Sequence, residues 1–253
     1  MSNEKRIIGG KEDISYDNVE AFFKQRGNSN LRHKYNYVMY LDDQPEIAVE
    51  RDRQAKKKIE SLLSIQPDMT VLDLGCGVGR WGELFCPKGA YYVGVDGNER
   101  MIQRAEENLS RFGNKKLMVG NLRKIPNDIA EMKFDIIFFC GVLMYLNDKD
   151  TVSILQKLPE LLHKNGHVCF IESMSEKERL TLKEIYSDEL KQNYSAIYRT
   201  VPEFMELMTT AFRGKLTLKR NDLMDFSDGL QRKREHVTME HCVIWEATAK
   251  NRS

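Results

Sequence analysis

The sequence lacks two features: the paired cysteines typical of proteins from oxidising compartments, and the excess of basic residues typical of proteins that bind a polyanion. Its 253 residues carry 39 basic and 38 acidic side chains, a formal net charge of +1. Nucleic-acid binding usually needs a concentrated basic face, so it is not indicated. The five cysteines are scattered and include no CxxC pair, which argues against a disulfide framework and against a zinc site. Scattered, unpaired cysteines are typical of proteins from a reducing cytoplasm.

Long apolar runs are also missing. The longest, FDIIFFCGVLMYL at residues 134–146, is too short and too interrupted by glycine to span a membrane. The first residues, MSNEKRIIGG, lack the apolar core of a signal peptide. We therefore expect a cytoplasmic protein without a membrane contact, formed by one large domain or by a domain with an appended helical segment.

Strands and helices alternate after Pro67. The apolar patterns predict strands at residues 70–74, 91–95, 115–120, 134–140 and 166–173, and helices at 78–85, 99–112 and 149–164. Such alternation implies right-handed crossovers, and therefore an α/β fold with a doubly wound, mostly parallel sheet. Residues 175–186 and 201–212 are predicted as helices. Two late strands, at 214–220 and 239–250, are predicted to form an antiparallel pair at the sheet edge.

The chain divides into two parts at the start of this alternation. Residues 1–66 form an N-terminal helical segment, with helices predicted at 17–26, where Asp17 is the expected N-cap, and at 45–65. Between them, LRHKYNYVMYLDD carries tyrosines at 35, 37 and 40. This stretch is either a lid that excludes water from a site or a simple packing element. Residues 67–253 form the ligand-binding domain.

Three glycines follow the first predicted strand, in VLDLGCGVG. Gly75, Gly77 and Gly79 allow backbone conformations that other residues avoid, and they let a ligand approach the main chain. Asp96 ends the next strand, where a carboxylate is placed to accept both hydroxyls of a ribose. The loop and the acid together predict an adenosine-containing ligand.

One alternative is a dinucleotide such as NAD, because Gly77, Gly79 and Gly82 satisfy the pattern GxGxxG. However, the glycines already begin at Gly75, and Asp73 lies just inside the strand. An extra carboxylate suits a ligand with a positive charge better than one with two phosphates. An NAD-dependent oxidoreductase stays open as the second interpretation.

The segment VLDLGCGVG, followed by GVD, resembles motif I and its partner in the class I S-adenosylmethionine-dependent methyltransferases. The resemblance covers residues 70–171 and implies a Rossmann-like, seven-stranded sheet with adenosylmethionine as cofactor. It implies that Asp73 lies near the cofactor's amino group and that Asp96 binds the ribose. The implied cofactor-binding residues are Tyr40, Asp73, Gly75, Cys76, Gly77, Gly79, Arg80, Asp96, Gly97, Asn98, Met101, Asn121, Leu122, Cys140 and Gly141.

Several of these assignments have a specific chemistry. Gly97, Asn98 and Met101 would border the adenine, and the backbone at Cys140 and Gly141 would approach the methionine part. Asn121 stands where the family often has an acid, although an amide oxygen can still accept a hydrogen bond from the adenine. The Arg80 guanidinium suits the cofactor's carboxylate, the alternative being an arginine on the helix surface.

Methyl transfer from a sulfonium is an in-line displacement that depends mainly on alignment, and a base helps only where the acceptor must lose a proton. Candidate catalytic residues are Tyr145 after the fourth strand, Glu172 at the end of the fifth, and His33 if its segment folds over the site. The alternatives are a packed loop tyrosine and a solvated loop acid. Tyr198 and Arg199 lie in a region that resembles the border of the family's acceptor pocket.

The only sequence evidence on the methyl acceptor is the lack of motifs that are typical of particular substrate classes. The chain lacks the NPPY-type tetrapeptide of amino-methylating DNA and protein enzymes, an RNA-binding appendage, and a pair of acids for magnesium. We therefore predict a metal-free enzyme, monomeric or homodimeric, that methylates nitrogen or oxygen of a small molecule such as a natural product, sugar or amine metabolite. A protein or RNA methyltransferase and a non-catalytic adenosylmethionine-binding module are the alternatives.

Overall fold

A computed structural model describes residues 6–188, 190–224 and 238–248. The strands are β1 (Arg6–Ile8), β2 (Thr70–Leu74), β3 (Tyr91–Asp96), β4 (Lys115–Val119), β5 (Phe134–Cys140), β6 (Leu162–Ser175), β7 (Leu180–Ser187), β8 (Gln192–Tyr198), β9 (Leu216–Leu223) and β10 (Thr238–Ala247). The helices are α1 (Tyr16–Asn28), α2 (Asn36–Met39), α3 (Pro45–Leu62), α4 (Gly82–Phe85), α5 (Glu99–Asn108), α6 (Asp148–Leu155), α7 (Leu158–Leu161) and α8 (Val201–Phe212).

The main sheet has seven strands in the order β4-β3-β2-β5-β6-β10-β9. The first five are parallel, and β10 runs antiparallel to both β6 and β9. The predicted α/β sheet and its antiparallel pair are confirmed. The strand order reverses on either side of β2, so the carboxyl ends of β2, β3 and β5 border the crevice where such sheets bind ligands.

Apolar side chains cover both faces of this sheet. Leu72 and Phe139 point into one core, while their neighbours Val71 and Phe138 point into the other. Because successive residues of a strand face opposite sides, burial on both faces requires the continuous apolar runs that the sequence shows. The helices that follow these strands supply the two covering layers. No described helix combines the length and the apolar character needed to cross a membrane.

The helix predicted over residues 175–186 is wrong. Its residues from Leu180 onward form β7, which pairs with β1 and β8 in a second, antiparallel sheet of three strands. Leu180 lies opposite Tyr198, and Thr181 lies opposite Ile197. A short segment with two such partners satisfies its backbone in ladders, and this pairing outweighs the intrinsic helix preference of its charged residues.

Other boundaries differ in smaller ways. The N-cap of α1 is Ser15, and Asp17 lies in the first turn instead, where a negative charge favours the helix dipole. The helix expected from residue 78 begins only at Gly82, because the glycine loop extends further than the pattern suggests. The charged loop between the two late strands, at 225–237, lies outside the described residues.

The segment before Pro67 packs onto the same body. Its first strand, β1, pairs with β7. The Arg26 side chain, only 2% exposed, donates to the carbonyl oxygens of Tyr37, at 3.2 Å, and Asn36, and pairs with Asp42 at 2.8 Å. A buried guanidinium with all these partners fixes α2 against α1.

Candidate active site

The glycine loop after β2 has the backbone that the motif predicts. Gly75, Gly77 and Gly79 have φ values of +82°, +52° and +76°, in the left-handed region that favours glycine. The N–H groups of Gly75 and Cys76 both donate to the carbonyl oxygen of Val95, at 2.8 and 3.0 Å. The loop therefore turns back across the end of β3 and leaves its main chain without covering Cβ atoms.

We expect Gly75→Ala to destabilise the protein by about 2–4 kcal/mol, because the new Cβ combines a strained φ with a collision against Cγ2 of Val142. Thermal unfolding should show a midpoint several degrees lower. The control is Gly113→Ala, where nothing lies within 4 Å of the added Cβ. Equal midpoints for the two variants would contradict this account of the loop.

Asp96, at the end of β3, binds the backbone of the glycine loop. Its Oδ2 accepts the N–H of Gly77 at 2.9 Å, and its Oδ1 accepts the N–H of Asn98 at 2.8 Å. Burial raises the pKa of this carboxyl above its ordinary value, although both backbone hydrogen bonds oppose the rise. Each oxygen still has a further lone pair. The carboxylate is thus fixed in orientation and retains the capacity to accept two hydroxyls.

Asp73 is the second carboxyl at this strand end. Its Oδ2 accepts the Tyr92 hydroxyl at 2.6 Å, and among the described residues nothing bonds its buried Oδ1. Burial raises the pKa of Asp73 to about 7. A buried, half-satisfied carboxyl is unfavourable unless something compensates it. The unpaired oxygen fits a ligand that brings a cation or a strong donor.

Arg80 is buried, so its interpretation as a surface residue is wrong. It is 9% exposed, and its Nη1 pairs with Asp52 Oδ1 at 3.3 Å while its Nη2 lies 3.1 Å from Cys140 Sγ. Asp52 also pairs with Lys56 at 2.8 Å. The side chain therefore lies between α3 and the end of β5. Its pairing with a cofactor carboxylate stays a prediction.

The residues predicted to border the adenine line the β3 and β4 ends. Gly97 is spacious, since an added Cβ would meet its nearest atom at 3.8 Å. Asn98 caps α5, with its Oδ1 accepting the N–H groups of Arg100 and Met101. Met101 itself is buried against Tyr37, which places the N-terminal segment beside this end of the site.

The two residues after β4 that are predicted to bind the cofactor, Asn121 and Leu122, differ in their contacts. Asn121 is exposed, and its Oδ1 accepts from the backbone N–H of Arg123 at 2.9 Å. Leu122 turns inward toward the glycine loop, where its Cδ1 lies beside the position of a Gly75 Cβ. An adenine bound here would compete with Arg123 for the amide oxygen of Asn121.

Residues 36–40 cover the glycine loop. A Cβ on Gly77 would lie 2.6 Å from Cγ1 of Val38, so this part of α2 rests directly on the loop. Glu83 anchors the same segment, since it accepts the Tyr35 hydroxyl at 2.6 Å and pairs with Lys34. Tyr40 follows α2 and reaches across to the residues after β5. A lid and a packing element would both be placed here, so the lid stays a prediction.

A turn after β5 carries Tyr145 and is held from both sides. The Oε1 of Glu172 accepts the N–H groups of Val142 and Leu143, both at 2.9 Å. Arg199 donates to the carbonyl oxygens of Leu143 and Leu146 at 2.7 and 2.6 Å. Glu172 is therefore no solvated loop acid. Burial raises the pKa of Glu172 to about 7, and its Oε2 is buried without a described partner.

Four phenol groups meet beside this turn, and we call them the tyrosine cluster: Tyr40, Tyr145, Tyr194 and Tyr198. The hydroxyl of Tyr40 lies 2.8 Å from that of Tyr145, which lies 3.2 Å from that of Tyr194. The hydroxyls of Tyr194 and Tyr198 are 2.9 Å apart. Sequence reasoning missed Tyr194. The signal was its spacing of four from Tyr198, which puts both on one face of a strand.

His33 is not brought to this turn by its described contacts. Its Nδ1 accepts the N–H of Tyr35 at 3.2 Å, and its ring meets that of Tyr35 edge-on at 4.9 Å. Burial lowers the pKa of His33. Of the three candidate catalytic residues, Tyr145 lies in the turn and Glu172, on β6, binds the same turn, whereas His33 lies on the Glu83 side of the N-terminal segment.

Comparison with known proteins defines the class. Residues 65–224 match the family described as Methyltransferase domain. The match takes in β2 with its glycine loop, Asp96, the turn with Tyr145, and Arg199. The chain therefore belongs to this methyltransferase family, and the predicted family resemblance is confirmed.

Two relatives with named activities are methyltransferases of small molecules by name. Phosphoethanolamine N-methyltransferase of Triticum aestivum is 27% identical over 136 residues, 54% of this chain and 26% of that protein. The chain thus spans about a quarter of the plant relatives that it matches. Ubiquinone biosynthesis O-methyltransferase of Pelagibacter ubique is 26% identical over 234 residues, covering 87% of this chain and 89% of the relative.

A solved structure shares the fold. Haemonchus contortus phosphoethanolamine N-methyltransferase 1, in complex with phosphoethanolamine and S-adenosylhomocysteine, superposes with a TM-score of 0.67 at 17% identity. The match covers 94% of this chain and 50% of that one. Because it extends beyond residues 65–224, the N-terminal segment takes part in the shared architecture.

Proposed function

We propose that this protein is an S-adenosylmethionine-dependent methyltransferase that moves a methyl group to nitrogen or oxygen of a small-molecule acceptor. The observation that carries the proposal is the pair of carboxyls at the ends of β2 and β3, the first buried and the second half-buried. Asp73 has an unpaired oxygen, and Asp96 is fixed by two N–H groups beside a bare glycine loop. Two carboxylates attract a cationic nucleoside and repel a pyrophosphate, so NAD is disfavoured.

The residues fit this cofactor part by part. Asp96 would accept the ribose hydroxyls, and Asp73 would pair with the amino group through Oδ1. The main chain of the glycine loop and of Cys140 and Gly141 would lie along the methionine part. Gly141 has φ +65°, and an added Cβ there would meet nothing within 4 Å. The bound cofactor supplies an electrophilic methyl group on a positively charged sulfur.

The remaining residues would orient the acceptor and exclude water. The turn held by Glu172 and Arg199 presents Tyr145 next to Gly141, at the same sheet edge as the cofactor residues. Residues 36–40 cover the loop and complete the tyrosine cluster through Tyr40. Alignment inside such a closed site is the main source of rate in this reaction.

A small acceptor is supported by two observations. The Pelagibacter relative, which is matched over most of both chains, is an O-methyltransferase of ubiquinone biosynthesis by name. Residues 36–40 also lie over the glycine loop through Val38, where a protein or RNA substrate would need a broad, open cleft. A reducing, cytoplasmic setting is consistent with the five free cysteines, and we expect a monomer or homodimer.

The proposal is tested by measuring both binding and turnover. Calorimetry should show adenosylmethionine and adenosylhomocysteine binding to the purified chain and NAD not binding. Incubation with adenosylmethionine and a panel of small amines, phenols and sugars should produce adenosylhomocysteine and a methylated acceptor. Binding of NAD without adenosylmethionine would overturn the proposal, and cofactor binding with a fully inert panel would favour a regulatory module.

A further inference from the structure

The tyrosine cluster is uncharged, and this property bears on the atom that receives the methyl group. The described hydrogen bonds of the Tyr145 and Tyr194 hydroxyls run to other phenols. The inference below rests on the proposed function, since it concerns the acceptor of that same reaction.

Aromatic rings surround these hydroxyls. Phe22 meets the rings of Tyr40 and Tyr194 edge-on, at centroid distances of 5.7 and 5.3 Å. Phe23 meets the ring of Tyr145 in the same way at 5.0 Å. The rings come from α1, the end of α2, the turn after β5, and β8. A wall of ring faces and phenol oxygens attracts a positive charge without supplying a negative one.

The charged groups nearest the cluster are already engaged, except for one buried oxygen of Glu172, Oε2, which has no partner among the described residues. Arg26 lies 4.8 Å from the centre of the Tyr40 ring, but it pairs with Asp42. Glu172 holds two backbone N–H groups of the turn, and Arg199 pairs with Asp148 at 2.7 Å. Burial holds the pKa of Tyr145 and Tyr194 well above the ordinary value. These phenols therefore stay protonated and cannot act as bases at neutral pH.

We propose that the acceptor atom is an amine nitrogen, held in its neutral form against the tyrosine cluster and methylated without a general base. The nitrogen lone pair forms the N–CH₃ bond while the S–CH₃ bond breaks, and that electron pair stays on sulfur. The positive charge passes from sulfur to nitrogen, so the total charge at the site does not change. The amine gives up its ammonium proton to water before it enters the site, and the product leaves as an ammonium ion, its ordinary form at neutral pH.

The same surroundings disfavour an alcohol. A hydroxyl acceptor must lose its proton during transfer, and this requires a base within hydrogen-bond reach. A neutral amine needs none, and removal from water favours the neutral form of an amine over its ammonium. The aromatic faces then stabilise the cation that forms on nitrogen. Amine acceptors therefore suit this site for both the ground state and the transition state.

The first test compares acceptors that share a carbon skeleton. The purified enzyme is given adenosylmethionine with ethanolamine or ethylene glycol, tyramine or 4-hydroxyphenylethanol, and glucosamine or glucose, and products are identified by mass spectrometry. We expect methylation on nitrogen in at least one amine and none on the matching alcohol. Methylation on oxygen alone, or no methylated amine despite bound cofactor, overturns the inference. Failure to bind adenosylmethionine at all would instead overturn the proposed function.

The second test uses the pH dependence of kcat/KM for the best amine and for analogues of lower basicity. If the amine enters in its neutral form, the midpoint of the profile follows the pKa of each acceptor. A midpoint that stays near 7 for every acceptor, in Asp73→Asn as well as in the parent, would identify an enzyme group other than Asp73, with Glu172 the foremost candidate, and would overturn the base-free transfer.

Variants of Tyr145 separate its ring from its hydroxyl. Tyr145→Phe keeps the ring, and we expect kcat within about threefold of the parent, whereas Tyr145→Leu should lower kcat at least about tenfold. Calorimetry with adenosylhomocysteine should show equal affinity for both variants. The control is Tyr186→Leu, since Tyr186 is 58% exposed on β7. An equal loss in both Tyr145 variants would show that the hydroxyl carries the chemistry and would contradict the inference.

Discussion

Asp96→Ala is expected to weaken adenosylmethionine binding by on the order of 3 kcal/mol, which is about 150-fold. The variant loses the acceptor for two ribose hydroxyls. It also leaves the N–H groups of Gly77 and Asn98 without the oxygens that they now reach at 2.9 and 2.8 Å. The loop that faces the cofactor would therefore lose its anchor together with the ribose contact.

Calorimetry with adenosylhomocysteine, which carries the same ribose, checks this prediction without turnover. Asp222→Ala is a suitable control, because Asp222 pairs with Arg220 on the edge strand β9, far along the sheet from β3. Its affinity should equal that of the parent. If Asp96→Ala bound adenosylhomocysteine with unchanged affinity, the ribose could not lie at Asp96, and the assignment of the site would be wrong.

Asp73→Asn is expected to stabilise the free protein while lowering cofactor affinity at least about tenfold. Burial raises the pKa of Asp73 to about 7 from its ordinary 3.8. The folded protein then binds more protons than the unfolded chain between these values, so its stability falls as the pH rises toward 7. A neutral amide at this position does not titrate, so the variant does not lose this stability as the pH rises. The gain in the unfolding midpoint should be largest at pH 8 and vanish near pH 4.

The same carboxyl should make cofactor binding depend on pH. The ammonium group of the cofactor pairs with the ionised form, so the affinity of the parent should fall about tenfold per pH unit below 7. Asp73→Asn should show a flat profile between pH 5 and 7. Titrations in two buffers of different ionisation enthalpy would detect the released proton. A parent profile as flat as that of the variant would separate Asp73 from the amino group.

The main sheet could be predicted from sequence because its information is local. Each of its parallel strands is a continuous apolar run bounded by a turn, and the glycines and Asp96 mark the strand ends directly. The second sheet could not, since β7 carries charged residues at helical spacing and becomes a strand through its pairing with β8 on one side and with β1, far away in sequence, on the other. Neither partner leaves a signature within the segment itself.

The site divides in the same way. The residues proposed to bind the cofactor lie within a few positions of two strand ends, so a short sequence motif predicts them. The tyrosine cluster draws on α1, α2, the turn after β5 and β8, and Arg80 reaches Asp52 over 28 positions of sequence. Tyr145 and Tyr198 stood out as single candidates, but the sequence did not indicate that their hydroxyls are joined through Tyr194.

The cover over Gly77 has a consequence for the order of events in turnover. Val38 rests on the loop, and Arg26 and Glu83 bind its segment from two sides. If the cofactor lies along this loop as proposed, we expect residues 36–40 to move away during its exchange, which would also remove Tyr40 from the tyrosine cluster. Loading should thus be sequential, with the nucleoside first and the acceptor second, and product departure should occur in the reverse order.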